Sequence, residues 1–459
     1  MSAQAVKKEK KFDLTQGPIF KGLITLSLPI MATSLMQTAH NLTNMFWLGW
    51  LGQDYVAASG VAGQFIWLSM AFMMMCRIGA EIGVSQNIGR GEPQEAKSYA
   101  QNGFMLALSI GIVFCIFVII FRRQLISFFP LADHVRAMAE DYLAIIAFSV
   151  PFTFAHFLIT GVFSGFGNTK LPFYINSAAL ALNIILSPIL IFGLGLGFIG
   201  AGISMVTAAV FNFCLKLWAM TKYSGRPFPD YTPFVKIAAD KIIQILKWGL
   251  PVAAESLLFT LLFMVVSRLI ATFGTGAIAA HNVGLQVESL SFMVGGGFAS
   301  AITAFVGQNY GAKKWGRMRS TVRVATIFMA CYGAAVTLFL FFGAYPMVGA
   351  FLDDPDAISI GAAYLRMMAF AQILFCIESV ASGSFRGRGL TQKPAVVSIS
   401  CNVFRVFITY ILAHTFLGIN GIWLGITLAM TIRSVWLIIW HKLNMRKTPR
   451  VDEEISATT

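Results

Sequence analysis

The amino-acid sequence predicts an all-α integral membrane protein with twelve transmembrane helices, arranged as two six-helix bundles related by a pseudo-two-fold parallel repeat. Low charge, apolar runs of span length and a constant internal offset support this prediction. Only 12% of the 459 residues are charged and 57% are hydrophobic, whereas a soluble domain carries about 25% charged residues. Such a chain has too little charge to cover a surface that faces water, so we expect the lipid bilayer to surround it.

Twelve apolar runs have the length of a membrane span. A helix needs roughly 20 apolar residues to cross the hydrocarbon core of a bilayer. The predicted spans are 22–44, 56–80, 99–121, 141–163, 173–192, 197–220, 248–272, 279–304, 322–343, 363–382, 395–416 and 420–440. The first run is too long for a signal-peptide core, so we interpret it as a retained span.

The basic residues are concentrated on one side of the predicted membrane. We place 25 of the 34 Lys and Arg residues in the two tails and the even-numbered connections, and only Arg122, Arg123 and Arg136 in outer connections. Cytosolic loops carry an excess of Lys and Arg, so we expect a multi-pass protein of the plasma (inner) membrane with both termini in the cytosol. This placement accounts for the formal net charge of +14, and no nucleic-acid partner is expected.

The two halves of the chain repeat one pattern at an offset of 222 residues. The polar strip "SQNIGRGEPQEAKS", which begins at Ser85, returns as "GQNYGAKKWGRMRS", which begins at Gly307. Other matching positions are Leu28-Pro29 and Leu250-Pro251, Tyr142 and Tyr364, Gly161 and Gly383, Gly165 and Gly387, and Pro172 and Pro394. We therefore predict an N-terminal lobe (1–221), a cytosolic linker (222–247), a C-terminal lobe (248–445) and a cytosolic tail (446–459).

Each half holds six spans, so both halves enter the membrane in the same orientation. Parallel repeats of this kind are a transporter architecture in which the substrate site lies between the halves. The duplication therefore favours a transporter that works by alternating access.

Several stretches resemble the multidrug and toxic compound extrusion (MATE) family. They are "GLPVAAES" and "AIAAHNVGLQVESLSFM" in spans seven and eight, "VGQNYGA" after span eight, and "GVFSGFGNTKLP" and "ASGSFRGRGLTQKP" after spans four and ten. The resemblance implies a secondary active multidrug efflux transporter that antiports H⁺ or Na⁺ against small organic, commonly cationic, compounds. It implies no cofactor besides the coupling ion, and we expect a monomer.

Three carboxylates inside predicted spans of the second half are the candidates for ion coupling. Glu255 and Glu378 lie about 12 Å from the cytosolic helix ends and Glu288 about 14 Å from the outer end. An ionisable group at this depth costs roughly 2.5–3.5 kcal/mol or more, so it is a functional candidate by default. The alternative is an internal ion pair with an arginine of the same half. The arginines available are Arg268, Arg366, Arg405 and Arg433, of which Arg268 lies too far along the same helix to reach Glu255.

His156 and His281 are two further ionisable residues at predicted spans. His156 is the counterpart of Glu378 at the offset of 222, so it is a further ion-coupling candidate, as a proton relay. A hydrogen-bonded packing histidine is the alternative interpretation. His281 is interpreted as a helix cap at an outer helix end.

The resemblance also implies a polar site in the first lobe. In one branch of the family this site is built on Asp residues in spans one and five, and these positions here are Asn44 and Ser187. The accompanying amide and hydroxyl are Asn183 and Thr207. Without carboxylates, this site is not expected to carry a proton.

In another branch of the family the acidic positions align with Phe259 and Phe375. Each lies one helical turn from Glu255 or Glu378, so we expect the acidic function to have shifted along the helices. Amides in spans one, two and eight are candidates for lining the substrate cavity, and interhelical hydrogen bonding is the equal alternative. The predicted cavity residues are Gln37, Asn41, Gln64, Phe259, Gln286 and Phe375.

Other classes of function remain to be distinguished. A flippase or exporter of a lipid-linked or anionic metabolite becomes the better interpretation if the membrane arginines face the cavity without a glutamate partner. A membrane enzyme is not expected, because the sequence contains no HExxH motif and no Gly-rich phosphate loop. The six cysteines form no CxxC pair, so we predict neither a disulfide nor a metal site.

Overall fold

The computed structural model describes residues 13–449, in which the regular elements are helices. The predicted location of both termini rests on residues 1–12 and 450–459, which lie outside the described residues, as does the side chain of Asn41. The helices are α1 (Ile19–Leu51), α2 (Gln53–Arg90), α3 (Pro93–Ser127), α4 (Asp133–Ala147), α5 (Val150–Phe166), α6 (Lys170–Pro188), α7 (Gly197–Thr221), α8 (Ala239–Ala271), α9 (Thr275–Gly311), α10 (Trp315–Gly349), α11 (Pro355–Gly387), α12 (Gln392–Ala413) and α13 (Ile419–Arg446).

The prediction of twelve spans is confirmed. Among the described residues, eleven helices are long and apolar enough to cross a membrane, or twelve when α4 and α5 are counted as one bent span. The bend of 45° has a local cause at Pro151, which stands in the first turn of α5. Proline has no backbone N–H to donate to the preceding turn and its ring clashes there, so the helix cannot continue straight.

The chain forms two compact units. One comprises Leu28–Leu250, and the other comprises Leu14–Ser27 together with the chain from Pro251 onward. The predicted lobes differ from this division at two places, because the start of α1 belongs to the second unit and α8 begins at Ala239, inside the predicted linker. Both boundaries between the units lie within two residues of a Leu-Pro step, which is Leu28-Pro29 at the first boundary and Leu250-Pro251 at the second.

In the second unit, the polar strip covers the last turn of α9 and the first turns of α10, and it binds the chain that precedes α1. Gln308 accepts a hydrogen bond from the Leu14 N–H at 3.1 Å, and Asn309 donates to the Leu14 carbonyl at 3.2 Å. Arg317 donates to the carbonyls of Leu14 and Gln16 at 3.2 and 2.7 Å. The strip therefore fixes unpaired backbone groups at the entry to a helix, in addition to supplying positive charge to a loop.

Close helix packing is repeated in both units by paired glycines. A Cβ at Gly161 or Gly165 of α5 would lie 2.8 or 2.7 Å from a backbone carbonyl of α2. The equivalent Gly383 and Gly387 of α11 would place a Cβ 2.4 or 2.6 Å from a backbone carbonyl of α9. Glycines four residues apart allow two backbones to approach where a bilayer offers no hydrophobic force between helices, so this contact fixes the helices that carry the candidate site residues.

Candidate functional site

The second unit contains a partly open cavity of about 80 Å³. Five helices line it: α8, α9, α11, α12 and α13. A drug-sized ligand needs roughly 300–1,000 Å³, whereas a water molecule occupies about 30 Å³. In this conformation the cavity therefore has room for a small ion and a few waters, and not for an organic substrate.

Glu288 lies in this cavity and is only 2% exposed. Tyr364 donates its hydroxyl to one carboxylate oxygen at 2.6 Å, and Gln372 donates its amide to the other at 3.1 Å. Ser291 in turn donates to the Gln372 carbonyl oxygen at 2.9 Å. Glu288 is thus oriented by neutral donors, and in the described part of the chain no arginine lies within ion-pairing distance of it.

The other two carboxylates are in ion pairs, as the alternative interpretation proposed. The Arg433 Nε lies 3.0 and 3.2 Å from the two carboxylate oxygens of Glu378, and the Ser434 hydroxyl donates to Glu378 at 2.6 Å. Glu255 lies 3.5 Å from Arg386, an arginine that the sequence analysis did not consider for this role. The coupling roles of Glu255 and Glu378 stay predictions, with the added condition that each would have to release an arginine.

Two further ionisable residues line the cavity, and one of them was misinterpreted from the sequence. His281 was interpreted as a helix cap, and this is wrong: it lies inside α9, is 4% exposed and stacks on Trp423 with ring centroids 5.3 Å apart. Neither ring nitrogen of His281 has a hydrogen-bond partner among the described residues, and the same holds for Nε and Nη2 of Arg405. Arg405 also lines the cavity and lies 5.2 Å from the ring centroid of Phe259.

The predicted polar site of the first unit is formed in part. Asn183 and Ser187 of α6 meet Ser204 of α7, at 3.5 and 2.9 Å. Thr207, which was predicted to take part, is exposed and donates to the carbonyl of Ile203 in its own helix. It lies three residues after Ser204, which is the hydroxyl that faces α6.

Asn44, the fourth residue predicted for this site, bonds elsewhere. Its amide lies 3.5 Å from the hydroxyl of Tyr142. Tyr142 in turn stacks on Phe198, with ring centroids 4.4 Å apart. The structure therefore brings together an amide and two hydroxyls, without a carboxylate and without the amide of α1.

His156, the predicted proton relay, contacts a buried lysine. Its ring Nδ1 lies 3.4 Å from Nζ of Lys216, which also donates to Thr160 Oγ1 and Asn176 Oδ1 at 2.8 Å each. Lys216 is 1% exposed. The sequence analysis did not single it out, although a lysine inside an apolar run is itself a signal of a functional site.

The predicted cavity residues have different surroundings. Phe259 lines the cavity of the second unit. Phe375 does not line it, and packs edge-on against the lining residue Phe292 at 4.6 Å between centroids. The side chains of Gln37, Gln64 and Gln286 are exposed on their own units, so their substrate-binding role stays a prediction.

Repeated helical bundles of membrane-span length, with ionisable side chains buried inside each unit, define a multi-pass membrane transporter. The family model described as MatE matches residues 29–189 and again residues 251–411, two segments separated by the same 222 residues as the internal repeat. The chain therefore belongs to the MatE family, the multidrug and toxic compound extrusion transporters. It is a multidrug transporter and not an enzyme.

Relatives and solved structures match over nearly the whole chain. "Probable multidrug resistance protein NorM" of Thermotoga maritima is 26% identical, over 95% of this chain and 96% of its own. "Multidrug export protein MepA" of Staphylococcus aureus is 22% identical, over 98% and 100%.

Among solved structures, a MOP superfamily transporter from Pyrococcus furiosus has a TM-score of 0.87 at 21% identity, over 96% of this chain and 99% of its own. A MATE structure in complex with MaD3S has a TM-score of 0.84 at 21% identity, over 95% and 98%. At this identity, the structural likeness shows the fold alone.

Proposed function

We propose that this transporter exports small organic, commonly cationic, compounds across the plasma (inner) membrane by antiport with H⁺ or Na⁺, and that Glu288 is the coupling carboxylate. The proposal includes alternating access, a monomer and both termini in the cytosol. The observation that carries it is the environment of Glu288, which is buried in a small cavity, oriented by two neutral donors and, among the described residues, not in ion-pairing contact with an arginine.

A buried carboxylate that no arginine contacts directly favours a mobile cation beside it, and here Arg405 and Arg433 line the same cavity without forming an ion pair with Glu288. Leaving an anion unpaired in a low-dielectric interior is costly, so a proton or a metal cation is favoured there. The size of the cavity fits such an ion and excludes an organic molecule in this conformation. Glu378 already has Arg433 as its counter-ion, so Glu288 is the carboxylate whose charge is available for exchange.

Exchange follows when two cations favour different states of the protein. A proton or Na⁺ at Glu288 and a cationic substrate elsewhere in the transporter are linked if each stabilises a different facing of the chain. The names of the relatives NorM and MepA describe multidrug resistance and multidrug export, and this supports the export of chemically diverse compounds.

The test is transport by purified protein in proteoliposomes, with a pH gradient or a Na⁺ gradient imposed separately and ethidium as the probe. We expect one of the two gradients to drive uptake, and Glu288→Gln to abolish the response to that gradient. Glu140→Gln is the matched control, because Glu140 is a carboxylate near Arg123 outside the cavity. If neither gradient drives transport, or if Glu288→Gln responds like the control, the coupling role is wrong.

A second candidate function is the export of anionic compounds, and Arg405 favours it. Arg405 lines the cavity with two N–H groups that have no acceptor among the described residues, whereas Arg433, which also lines it, is paired with Glu378. One of the four membrane arginines therefore supports this alternative. The same proteoliposomes distinguish the two functions when carboxyfluorescein replaces ethidium. Uptake of carboxyfluorescein alone, lost in Arg405→Gln and kept in Arg366→Gln, would establish the anionic function.

A further inference from the structure

The first unit contains a buried lysine in a polar cluster that none of the functions above uses. Nζ of Lys216 on α7 donates to Thr160 of α5 and to Asn176 of α6, each at 2.8 Å. The carbonyl oxygen and Nδ1 of His156 both lie 3.4 Å away. Asn212, one turn before Lys216, donates to the same Asn176 oxygen at 3.1 Å. Three helices are therefore joined at one amine.

The cluster occupies the position of an ion pair in the second unit. His156 is the counterpart of Glu378, and Asn212 is the counterpart of Ser434, each at the offset of 222. In the second unit, Arg433 neutralises Glu378. In the first unit the acid is replaced by an imidazole. The basic groups come from different positions, because Lys216 follows Asn212 by four residues whereas Arg433 precedes Ser434 by one.

Among the described residues, the charged neighbours of Lys216 do not supply an acidic partner. Among residues 13–449, no carboxylate oxygen lies within 4.0 Å of Lys216 Nζ. Arg77 of α2 is a nearby cation that acts on Lys216 electrostatically. Glu81 stands one turn after Arg77 on α2, and its backbone lies beside Gly165 rather than beside Thr160.

The other helices that pack on α7 place no acidic side chain near Lys216 in the described part of the chain. Helix α6 contacts the amine through the neutral Asn176. Helix α4, which carries Asp133, Glu140 and Asp141, packs on α7 at Gly202, about 21 Å along the helix from Lys216. The groups that face Lys216 and can change or carry charge are therefore His156 and Arg77.

An ammonium in this environment is destabilised, and loss of its proton relieves the cost. His156 offers the route for that proton, because it contacts Lys216 and is itself half-buried, whereas Lys216 is fully buried. With Nδ1 accepting from Lys216, His156 carries its own proton on Nε2.

We propose that Lys216 and His156 form a proton-binding site in the first unit, in which Lys216 gains and loses a proton through His156 during transport. An N–H bond of the ammonium breaks, and a new N–H bond forms at Nδ1 of the imidazole. The imidazolium then releases the proton of Nε2 to water, so that one proton leaves and both groups are neutral. The role in transport rests on the proposed H⁺ coupling, but the proton site itself does not.

The site has a consequence for a cationic substrate. When Lys216 is protonated, the first unit carries an extra buried positive charge that repels a cation bound nearby. When Lys216 is neutral, the repulsion is lost. Proton binding and binding of a cation then oppose each other, which is the linkage that an antiporter needs.

The first experiment measures protonation of Lys216 directly and does not depend on transport activity. The full-length protein is labelled with ¹³Cε-lysine, and its NMR signals are followed between about pH 5 and pH 9. The signal that disappears in Lys216→Met is expected to titrate in this range, while the signal of the exposed Lys222, identified with Lys222→Met, stays constant. A constant Lys216 signal overturns the proposal, whether or not the protein proves to be H⁺-coupled.

The second experiment tests the role in transport with one neutral substitution and one permanently charged substitution. Lys216→Met removes the charge, whereas Lys216→Arg keeps it permanently with a similar set of donors. Both are expected to lose pH-driven ethidium uptake in proteoliposomes, because neither exchanges a proton. Uptake retained by Lys216→Arg shows a fixed structural cation and overturns the role in transport. If either variant fails to fold, pH-driven ethidium uptake by His156→Gln decides, because this variant lacks the proposed proton route to Lys216. Uptake at the unmodified level would overturn the role in transport.

Discussion

The glycine contact between α9 and α11 gives a sharp prediction about what holds the candidate site together. In Gly383→Ala, the added Cβ would lie 2.4 Å from the carbonyl oxygen of Ala299 and 3.0 Å from Cβ of Ile302. An ordinary contact of this kind is 3.4 Å or more, so the two helices must separate by about 1 Å. Because the obstructing atom belongs to a backbone, a side-chain rotation cannot remove the clash.

The expected loss of unfolding free energy in Gly383→Ala follows from overpacking of the helix contact. Extra atoms in a well-packed interior cost about 1–3 kcal/mol, while replacing Gly by Ala in a helix gains up to about 1 kcal/mol. Gly296→Ala on α9 is the matched control, since nothing lies within 4 Å of its added Cβ. The helix-propensity gain cancels between the two variants. Their difference in free energy of unfolding is therefore expected to be about 1–3 kcal/mol, with Gly383→Ala the less stable.

Unfolding of both variants by SDS in mixed micelles, followed by tryptophan fluorescence, measures this difference. Ethidium uptake by the folded protein is expected to fall in Gly383→Ala, because α9 carries Glu288 and α11 carries Tyr364. Equal stability of the two variants would refute the close approach of α9 and α11 from which the argument starts.

Four other predictions use the same unfolding measurement. Glu378→Gln is expected to destabilise the protein by about 3–5 kcal/mol, because it leaves a buried arginine without its partner; a loss below about 1 kcal/mol would contradict a tight pair. Glu255→Gln is expected to cost less than about 1 kcal/mol, because its pair is longer and half-buried. Tyr364→Phe should cost about 1.5–3 kcal/mol by removing a donor to a buried carboxylate, and an unchanged stability would count against that bond. Ser204→Ala is expected to cost about 1 kcal/mol and the exposed Thr207→Ala close to nothing, so the reverse order would place Thr207 in the polar site.

Individual site residues show where prediction from the sequence succeeded. Glu288, Glu378 and His156 were selected because an ionisable residue inside an apolar run is rare and costly, and all three contact other buried polar groups in the structure. The repeat made the correspondence of His156 and Glu378 visible in the sequence. What the sequence did not indicate was which basic residue contacts each: Lys216 beside His156, and Arg433 rather than another arginine of the same half beside Glu378.

The basic residues that contact His156 and Glu378 could not be identified from the sequence, for a physical reason. In a soluble helix, the side that faces the core is marked by an apolar stripe. A membrane helix is apolar on nearly all sides, because lipid and protein interior are equally apolar, so its rotation cannot be read from composition. Thr207 and Ser204 are three residues apart, and only the packing of α7 on α6 decided which hydroxyl joins Asn183.

The sequence by itself determined the membrane environment, the twelve spans, the duplication and the MatE family. These properties can be predicted from the order of residues alone, because they depend on the length of apolar runs, the placement of charges and the constant offset between the two halves. The tertiary structure alone decided that Glu255 meets Arg386, that Glu288 meets no arginine in the described chain and that Lys216 is buried beside His156. These pairings depend on the angle at which each helix is rotated and on the carbonyl contacts of its glycines, and they arise only when separate helices pack together.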